Sequence, residues 1–168
     1  MGNSQHTRKG VCAVYIIRLK PFLISLSISL GVGLFAGLLT SGSTDFYQEI
    51  QLPPLSPPGW IFPVVWTGLY LLMGLSSYLV WNSESPARHR ALTLYGIQLG
   101  VNFLWPIFFF CLHLIFFSFL WLAFLWILLA FLTRAFLKVN KLAAYLQIPY
   151  LIWLTFAEYL NLGVFFLN

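Results

Sequence analysis

The chain has 168 residues, of which 60% are apolar, 19% aromatic and only 8% charged. Soluble domains carry about 25% charged residues, so this sequence cannot cover a water-facing surface, and a soluble catalytic domain is excluded. The length fits one domain, and five membrane spans of roughly 20 residues each would use most of it.

The net charge of +5 does not read as a nucleic-acid patch. The nine basic residues are Arg8, Lys9, Arg18, Lys20, Arg88, Arg90, Arg134, Lys138 and Lys141. They form three clusters separated by stretches long enough to cross a bilayer, which is a topological pattern. Cys12 and Cys111 lie far apart with no metal-ligand spacing around them, and read as small apolar residues.

In chain order, residues 1–20 form a basic N-terminal segment with a short apolar stretch, Val11 to Ile17. The apolar run that follows is long and lacks a small-x-small cleavage site, which argues against a cleaved signal peptide. Met1 to His6 resembles a myristoylation signal, but His6 stands where Ser or Thr is needed. The first span covers about Phe22 to Thr40, with Pro21 suited to the first helical turn. A loop from about Ser41 to Gly59 carries Asp45 and Glu49, and its Pro53-Pro54-Leu55-Ser56-Pro57-Pro58 run favours a stiff extended segment. The second span runs from about Trp60 to Asn82, followed by a polar loop from Ser83 to Arg90.

Ala91 to Thr133 contains no Asp, Glu, Lys or Arg and is twice the bilayer requirement. It therefore reads as two spans, broken near Cys111-Leu112-His113 after Pro106, with His113 interfacial. Arg134 to Lys141 forms a polar loop, and the fifth span runs from about Leu142 to the C-terminus with Pro149 inside it. With five spans, every basic residue falls on one side. The positive-inside rule then places the N-terminus in the cytoplasm and the C-terminus outside. The expected fold is an all-α membrane protein, a bundle of five transmembrane helices occupying residues 21–168.

Polar groups and prolines within spans mark the bundle interior. Pro63, Trp66, Tyr70, Met73 and Ser77 share one face of the second span, and Tyr95, Gln98, Asn102 and Trp105 share one face of the third. Tyr150, Trp153, Ala157 and Asn161 do the same in the fifth. If the three stripes converge they line a cavity with flat aromatic walls. Pattern alone does not separate pocket from packing at Trp66, Trp153 and Asn102, whereas Trp60 and Trp81 suit an interfacial belt. Buried amides require partners, so Gln98 and Asn102 should bond neighbouring helices, a ligand, or both. Glu158 is the one intramembrane acid and lies about 100° off the Trp153–Asn161 line. Gly33-x-x-x-Gly37 and Gly96-x-x-x-Gly100 allow close helix approach, within the bundle or in a homodimer. No phosphate loop, metal cluster or Ser/His/Asp arrangement supports an ordinary enzyme, and no cofactor is expected.

Taken together, Pro53-Pro54-Leu55-Ser56-Pro57-Pro58-Gly59-Trp60 and Pro63 to Gly74, Tyr95-Gly96-x-Gln98-Leu99-x-x-Asn102-x-x-Trp105-Pro106, Pro149-Tyr150-Leu151-x-Trp153 and Leu160-Asn161 resemble the TspO/MBR family. The resemblance covers residues 22 to 168. It implies a five-helix bundle, commonly dimeric, that binds tetrapyrroles such as protoporphyrin IX and haem, with the loop between the first two spans capping the pocket. On this likeness the ligand-binding residues are Tyr47, Trp66, Asn102, Trp153 and Ala157. Trp66 and Trp153 match tryptophans linked to porphyrin photochemistry in bacterial members, which makes light-dependent porphyrin degradation an alternative. A small transporter coupled through Glu158 is another. Trp121 stands where many members have an Asp, so no role for that acid carries over. No basic residue follows Tyr159, which argues against cholesterol as natural ligand and favours a bacterial inner membrane.

Overall fold

The computed structural model describes residues 18–43 and 46–168. The N-terminal segment up to residue 17 lies outside the described residues. So do the Val11–Ile17 stretch, Cys12, Asp45 and the two most N-terminal basic residues. The helices are α1 (Leu19–Thr40), α2 (Phe46–Glu49), α3 (Ile61–Trp81), α4 (Arg88–Pro106), α5 (Ile115–Leu137), α6 (Lys141–Tyr145) and α7 (Ile148–Leu167). Among the described residues five segments are long and apolar enough to cross a membrane: α1, α3, α4 with its extension to Cys111, α5, and α6 joined to α7.

The expected five-span bundle is present, with boundaries that differ in four places. The 41–59 loop is not wholly extended, because Ser41–Ser43 make a 3-10 turn and Phe46–Glu49 a helical turn ahead of the prolines. Arg88 and Arg90 are already helical, and α5 carries Arg134 in its last turn. Basic side chains suit that position because the carboxyl end of a helix is partly negative. The fifth span is interrupted rather than continuous. Asn140 caps α6 by accepting from the Ala143 N–H at 3.1 Å, and Pro149 sits in the first turn of α7, where its missing N–H is tolerated. The break near His113 falls where expected, and Pro106 explains its form. The last turn beyond α4, Ile107–Cys111, is a π-helix closed by Leu112 N–H to Ile107 O at 3.0 Å.

Helix α1 packs on α3 and α4, α5 on α4 and α7, and α6 on α3 and α5. The inward stripe of α5 is Leu122, Leu125, Leu129, Leu132 and Phe136, each fully buried, at alternating three- and four-residue spacing. Its opposite face, including Phe124, Ile127 and Phe131, is exposed. That is the surface an apolar solvent such as lipid requires. Polar side chains join the helices where apolar packing alone would not choose a register. Ser29 Oγ meets Tyr95 Oη at 2.5 Å, Trp121 Nε1 donates to Val101 O at 2.8 Å, Trp126 Nε1 donates to Thr155 Oγ1 at 2.9 Å, and Asn161 Nδ2 donates to Ser118 Oγ at 3.0 Å. Trp121 therefore ties α5 to the backbone of α4. The break before α7 is tied to α3 by Ser76, whose Oγ donates to Ala143 O at 2.6 Å and accepts from Gln147 Nε2 at 2.9 Å.

Of the two glycine pairs, only Gly33 makes a close approach. A Cβ there would come within 2.3 Å of the Tyr70 ring, whereas at Gly37, Gly96 and Gly100 it would meet open space. Gly74 repeats the close approach from α3, against the Leu26 backbone and side chain. Gly33→Ala is therefore expected to destabilise the bundle by about 1–3 kcal/mol through overpacking. Gly37→Ala should be neutral or stabilising by up to about 1 kcal/mol, because alanine is the better helix former. Denaturation of the detergent-purified variants by sodium dodecyl sulphate, followed by far-ultraviolet circular dichroism, separates the two.

Candidate functional site

The three stripes do converge, and they meet on Tyr150. This residue is fully buried in α7, and its phenol oxygen accepts from Asn102 Nδ2 at 2.5 Å and from Gln98 Nε2 at 2.8 Å, both on α4. The other end of the Asn102 amide, Oδ1, accepts from the Tyr70 hydroxyl of α3. One asparagine thus joins three helices. The expectation that Gln98 and Asn102 bond neighbouring helices holds. Pro106 adds a further polar group at this level, since it has no N–H to offer the carbonyl of Asn102 four residues earlier.

Beside this network lies a cavity of about 990 Å³ between α1, α3 and α4. Its walls include Trp66, Tyr70, Asn102, Trp105 and Pro106, the second half of α1 from Leu30 to Thr40, and Tyr47 from the loop. A second cavity of about 20 Å³, room for about one water, lies towards α7 and is lined by Tyr47, Ala157, Leu160 and Asn161 among others. Phe62, Trp105 and Phe110 line both and form the wall that the two share.

Four of the five residues singled out from the sequence are distributed over the two cavities. Trp66 and Asn102 line the large cavity, Ala157 the small one, and Tyr47 both. Trp153 lines neither; it packs edge-on against Phe62 at 6.0 Å and tilted against Phe156 at 5.6 Å. Trp66 is enclosed by rings, with Tyr70 at 5.8 Å, Tyr150 at 5.9 Å and Trp105 at 6.4 Å between centroids. Glu158 is half-buried and lines neither cavity. Sequence reasoning missed the part played by α1, whose lining residues Gly31, Gly33, Ala36 and Gly37 are small rather than polar. It also missed Phe62 and Phe110, which carry no signal beyond apolarity.

The loop over the site is fastened at both ends. Phe46 stacks on His113 at 4.1 Å, and His113 is in the left-handed region at φ 53°. Tyr47 Oη donates to Pro57 O at 3.1 Å, holding the loop closed on itself. Three hydrogen bonds tie it to α7 and to Asn168 just past it. Tyr159 Oη donates to Pro54 O at 2.9 Å, the Gln51 N–H donates to Asn168 Oδ1 at 2.9 Å, and Asn168 Nδ2 donates to Gln51 O at 3.1 Å. Gly163 leaves the space that Pro53 fills, for a Cβ there would lie 2.6 Å from Pro53 Cβ. Among the described residues no group of His, Cys, Asp and Glu could hold a metal ion.

Burial pushes the Tyr47 phenol above its ordinary value, with the Ser56 hydroxyl acting in the opposite sense. A raised value means that the stability contributed by the protonated phenol is whole below about pH 10 and is lost as the pH climbs further. Cleavage of the 50–60 loop by limited proteolysis should accordingly stay flat from about pH 6 to 9 and rise only above about pH 10. Replacing Asn102 by Leu leaves the Tyr70 hydroxyl without its acceptor. The expected cost is about 1–2 kcal/mol, between the penalty for a buried unpaired group and the smaller average for interhelical bonds in membranes. The same detergent denaturation measures it.

The site's architecture has relatives. The model of the TspO/MBR family matches residues 24–167. The Translocator protein of Ovis aries is 38% identical over 119 residues, covering 69% of this chain and 70% of that protein. Protein CrtK of Rhodobacter capsulatus is 32% identical over 152 residues, covering 85% and 95%. The Tryptophan-rich protein TspO of Chlorobaculum tepidum is 32% identical over 158 residues, covering 87% and 97%. With a family match over nearly all of the described helices and five helices able to span a bilayer, the chain is an integral membrane protein that belongs to the TspO/MBR family.

Proposed function

We propose that this protein binds tetrapyrroles such as protoporphyrin IX and haem within the membrane, as a receptor or carrier in porphyrin transport, homeostasis or stress signalling. The observation that carries this reading is the cavity of about 990 Å³ with Trp66, Tyr47 and Asn102 on its wall. That volume is at the upper end of the range of about 300–1,000 Å³ for ligand pockets. A large flat macrocycle gains most from large flat walls, and offset stacking on an indole adds about 0.5–1.5 kcal/mol beyond area burial. Trp66 supplies the indole. Tyr47 and Asn102 supply hydrogen bonds, and Trp153 and Ala157 back the wall from the α7 side. The membrane is read as a bacterial inner membrane with the basic end of the bundle, residues 1–20 included, in the cytoplasm. Gly96 and Gly100, both exposed on α4, are the surface on which a homodimer would pack.

The polar lining narrows the chemistry. Thr40 and Thr67 each donate to a carbonyl of their own helix, at 3.0 and 2.7 Å, so their hydroxyls present lone pairs rather than free protons. Among the described residues, no Lys or Arg lines the cavity. An ionised carboxylate meets no cation among these lining residues, so a ligand's charged groups belong at the mouth.

Protoporphyrin IX titrated in the dark into the detergent-purified protein should quench tryptophan fluorescence saturably. Trp66→Phe should weaken binding about 10-fold, the loss of roughly 1.4 kcal/mol, and Trp153→Phe should weaken it less. The neutral dimethyl ester of protoporphyrin should bind within about threefold of the diacid, a difference of well under 1.4 kcal/mol. Absence of saturable quenching would sink the tetrapyrrole reading. Light-dependent degradation is a second reading, favoured by the three oxidisable rings packed around Trp66. Loss of porphyrin absorbance under light in the wild type, abolished in Trp66→Phe, would select it. Coupled transport through Glu158 has no such support, because the carboxyl lines neither cavity.

A further inference from the structure

The large cavity has a side that faces the bilayer. Helices α1 and α3 are closely packed from their basic ends as far as Gly33 and Tyr70. Phe22 meets Tyr78 edge-on at 5.3 Å, Gly74 lies against Leu26, and Gly33 lies against the Tyr70 ring. Beyond that point the cavity reaches residues of both helices. Facing residues on both are exposed and line the cavity: Leu34 and Leu38 at 66% and 63% on α1, with Pro63 and Thr67 on α3 and Trp60 at 67% at its start. A Cβ added at Gly37 meets nothing within 4 Å. The upper part of α1 leans the other way, towards α4. Phe35 packs on Phe103 at 6.4 Å, and Ala36 and Thr40 are buried.

This gap lies within the apolar part of the bilayer. Gly37 and Gly33 are three and seven residues from the end of α1, or about 5 and 11 Å along the axis at 1.5 Å per residue. Both flanking helices are long and apolar enough to span the membrane. The aqueous side, in contrast, is strapped shut. The loop over the site is held by Tyr159, Asn168 and the Pro53–Gly163 contact, all on or just past α7, and by Phe46 on His113. Opening it would break three hydrogen bonds to α7 and Asn168, whereas the side chains of Leu34, Leu38 and Pro63 and the bare Gly37 at the gap have no group that could hydrogen-bond across it.

We propose that ligand enters and leaves this cavity sideways, from the hydrocarbon between the upper halves of α1 and α3, and not through the loop. The inference rests on the tetrapyrrole reading above for its ligand. The chemistry agrees with the lining, which rejects ionised groups and accepts a planar apolar solute already dissolved in the membrane. Trp105, Phe62 and Phe110 then close the inner end of this vestibule.

The test measures protoporphyrin IX association and dissociation by stopped-flow tryptophan quenching, on protein reconstituted in phosphatidylcholine vesicles. One variant, Gly37→Phe, places a ring in the gap where space exists for it. The other, in a background with Cys12 and Cys111 replaced by Ser, carries Gln51→Cys and Asn168→Cys joined by a short bis-maleimide, which fixes the loop. Gly37→Phe should slow association by at least 10-fold and slow dissociation with it, because a narrowed passage raises the barrier in both directions. The cross-linked protein should retain the rates of its untethered parent within about threefold. Association at the wild-type rate in Gly37→Phe would overturn the lateral route. A tether that slows association as much as Gly37→Phe does would overturn it equally. If the unmodified protein shows no saturable quenching, the tetrapyrrole reading fails and the route falls with it. The result is distinguishable from failure of the route alone, in which wild-type binding is intact.

Discussion

The structure depends on one amide. Asn102 bridges the hydroxyls of Tyr70 on α3 and Tyr150 on α7 from its place on α4. In hydrocarbon there is no water to satisfy a displaced polar group, so such a bridge admits few alternative registers. The apolar contacts around it cannot supply that discrimination, because lipid tails are as apolar as leucine and helices gain little by preferring one another to solvent. Sliding α3 or α7 by a residue would leave a phenol unpaired. The network therefore does for this bundle what a patterned hydrophobic core does for a soluble one.

The same bridge determines where the empty space is. A hydrogen-bonded centre holds α3, α4 and α7 together, and α1 is left to pack from outside through glycine and serine. Ser25 and Ser29 are buried, and Ser29 reaches Tyr95. The wide cavity opens where α1 parts from α3, next to the bridge rather than through it. Trp66 stands at the junction, in contact with both tyrosines that Asn102 joins. A ligand on Trp66 would thus press on the network that fixes helix register, giving binding a direct mechanical link to the packing of the bundle.

How much of this was legible in the sequence depended on the kind of signal each residue carries. Spans could be read because charges cannot enter hydrocarbon, and the charge-free Ala91–Thr133 run resolves into two helices with its break near His113 as expected. Asn102, Gln98 and Tyr150 stood out as polar groups where polarity is costly, and the expected interhelical bonds are present. The break before α7 was not read, because Asn140 and Gln147 act together with Ser76, which lies 71 positions before Gln147. Nor could the partition of the site be read. Tyr47, Trp66, Asn102, Trp153 and Ala157 share helical spacing or family likeness, but which side of the Phe62–Trp105–Phe110 wall each one faces depends on helix rotation and side-chain rotamers that no one-dimensional pattern encodes.

Glycine shows the limit of pattern reading most sharply. Gly33 and Gly37 form one motif and lie on neighbouring turns of one helix, yet they serve opposite ends. Gly33 is small so that Tyr70 can lie against the backbone, and Gly37 is small with nothing against it. Small-x-x-x-small is usually taken to mean close approach, and here half of the motif holds two helices together while the other half sits where they part. The distinction comes from the partner helix. Tyr70 is anchored by Asn102 and cannot move away from Gly33, whereas Pro63 and Thr67 opposite the upper turns carry no side chain long enough to cross the gap. The motif thus marks the pivot about which α1 diverges, and the space above that pivot follows from the short side chains on both sides rather than from any residue selected for polarity or charge.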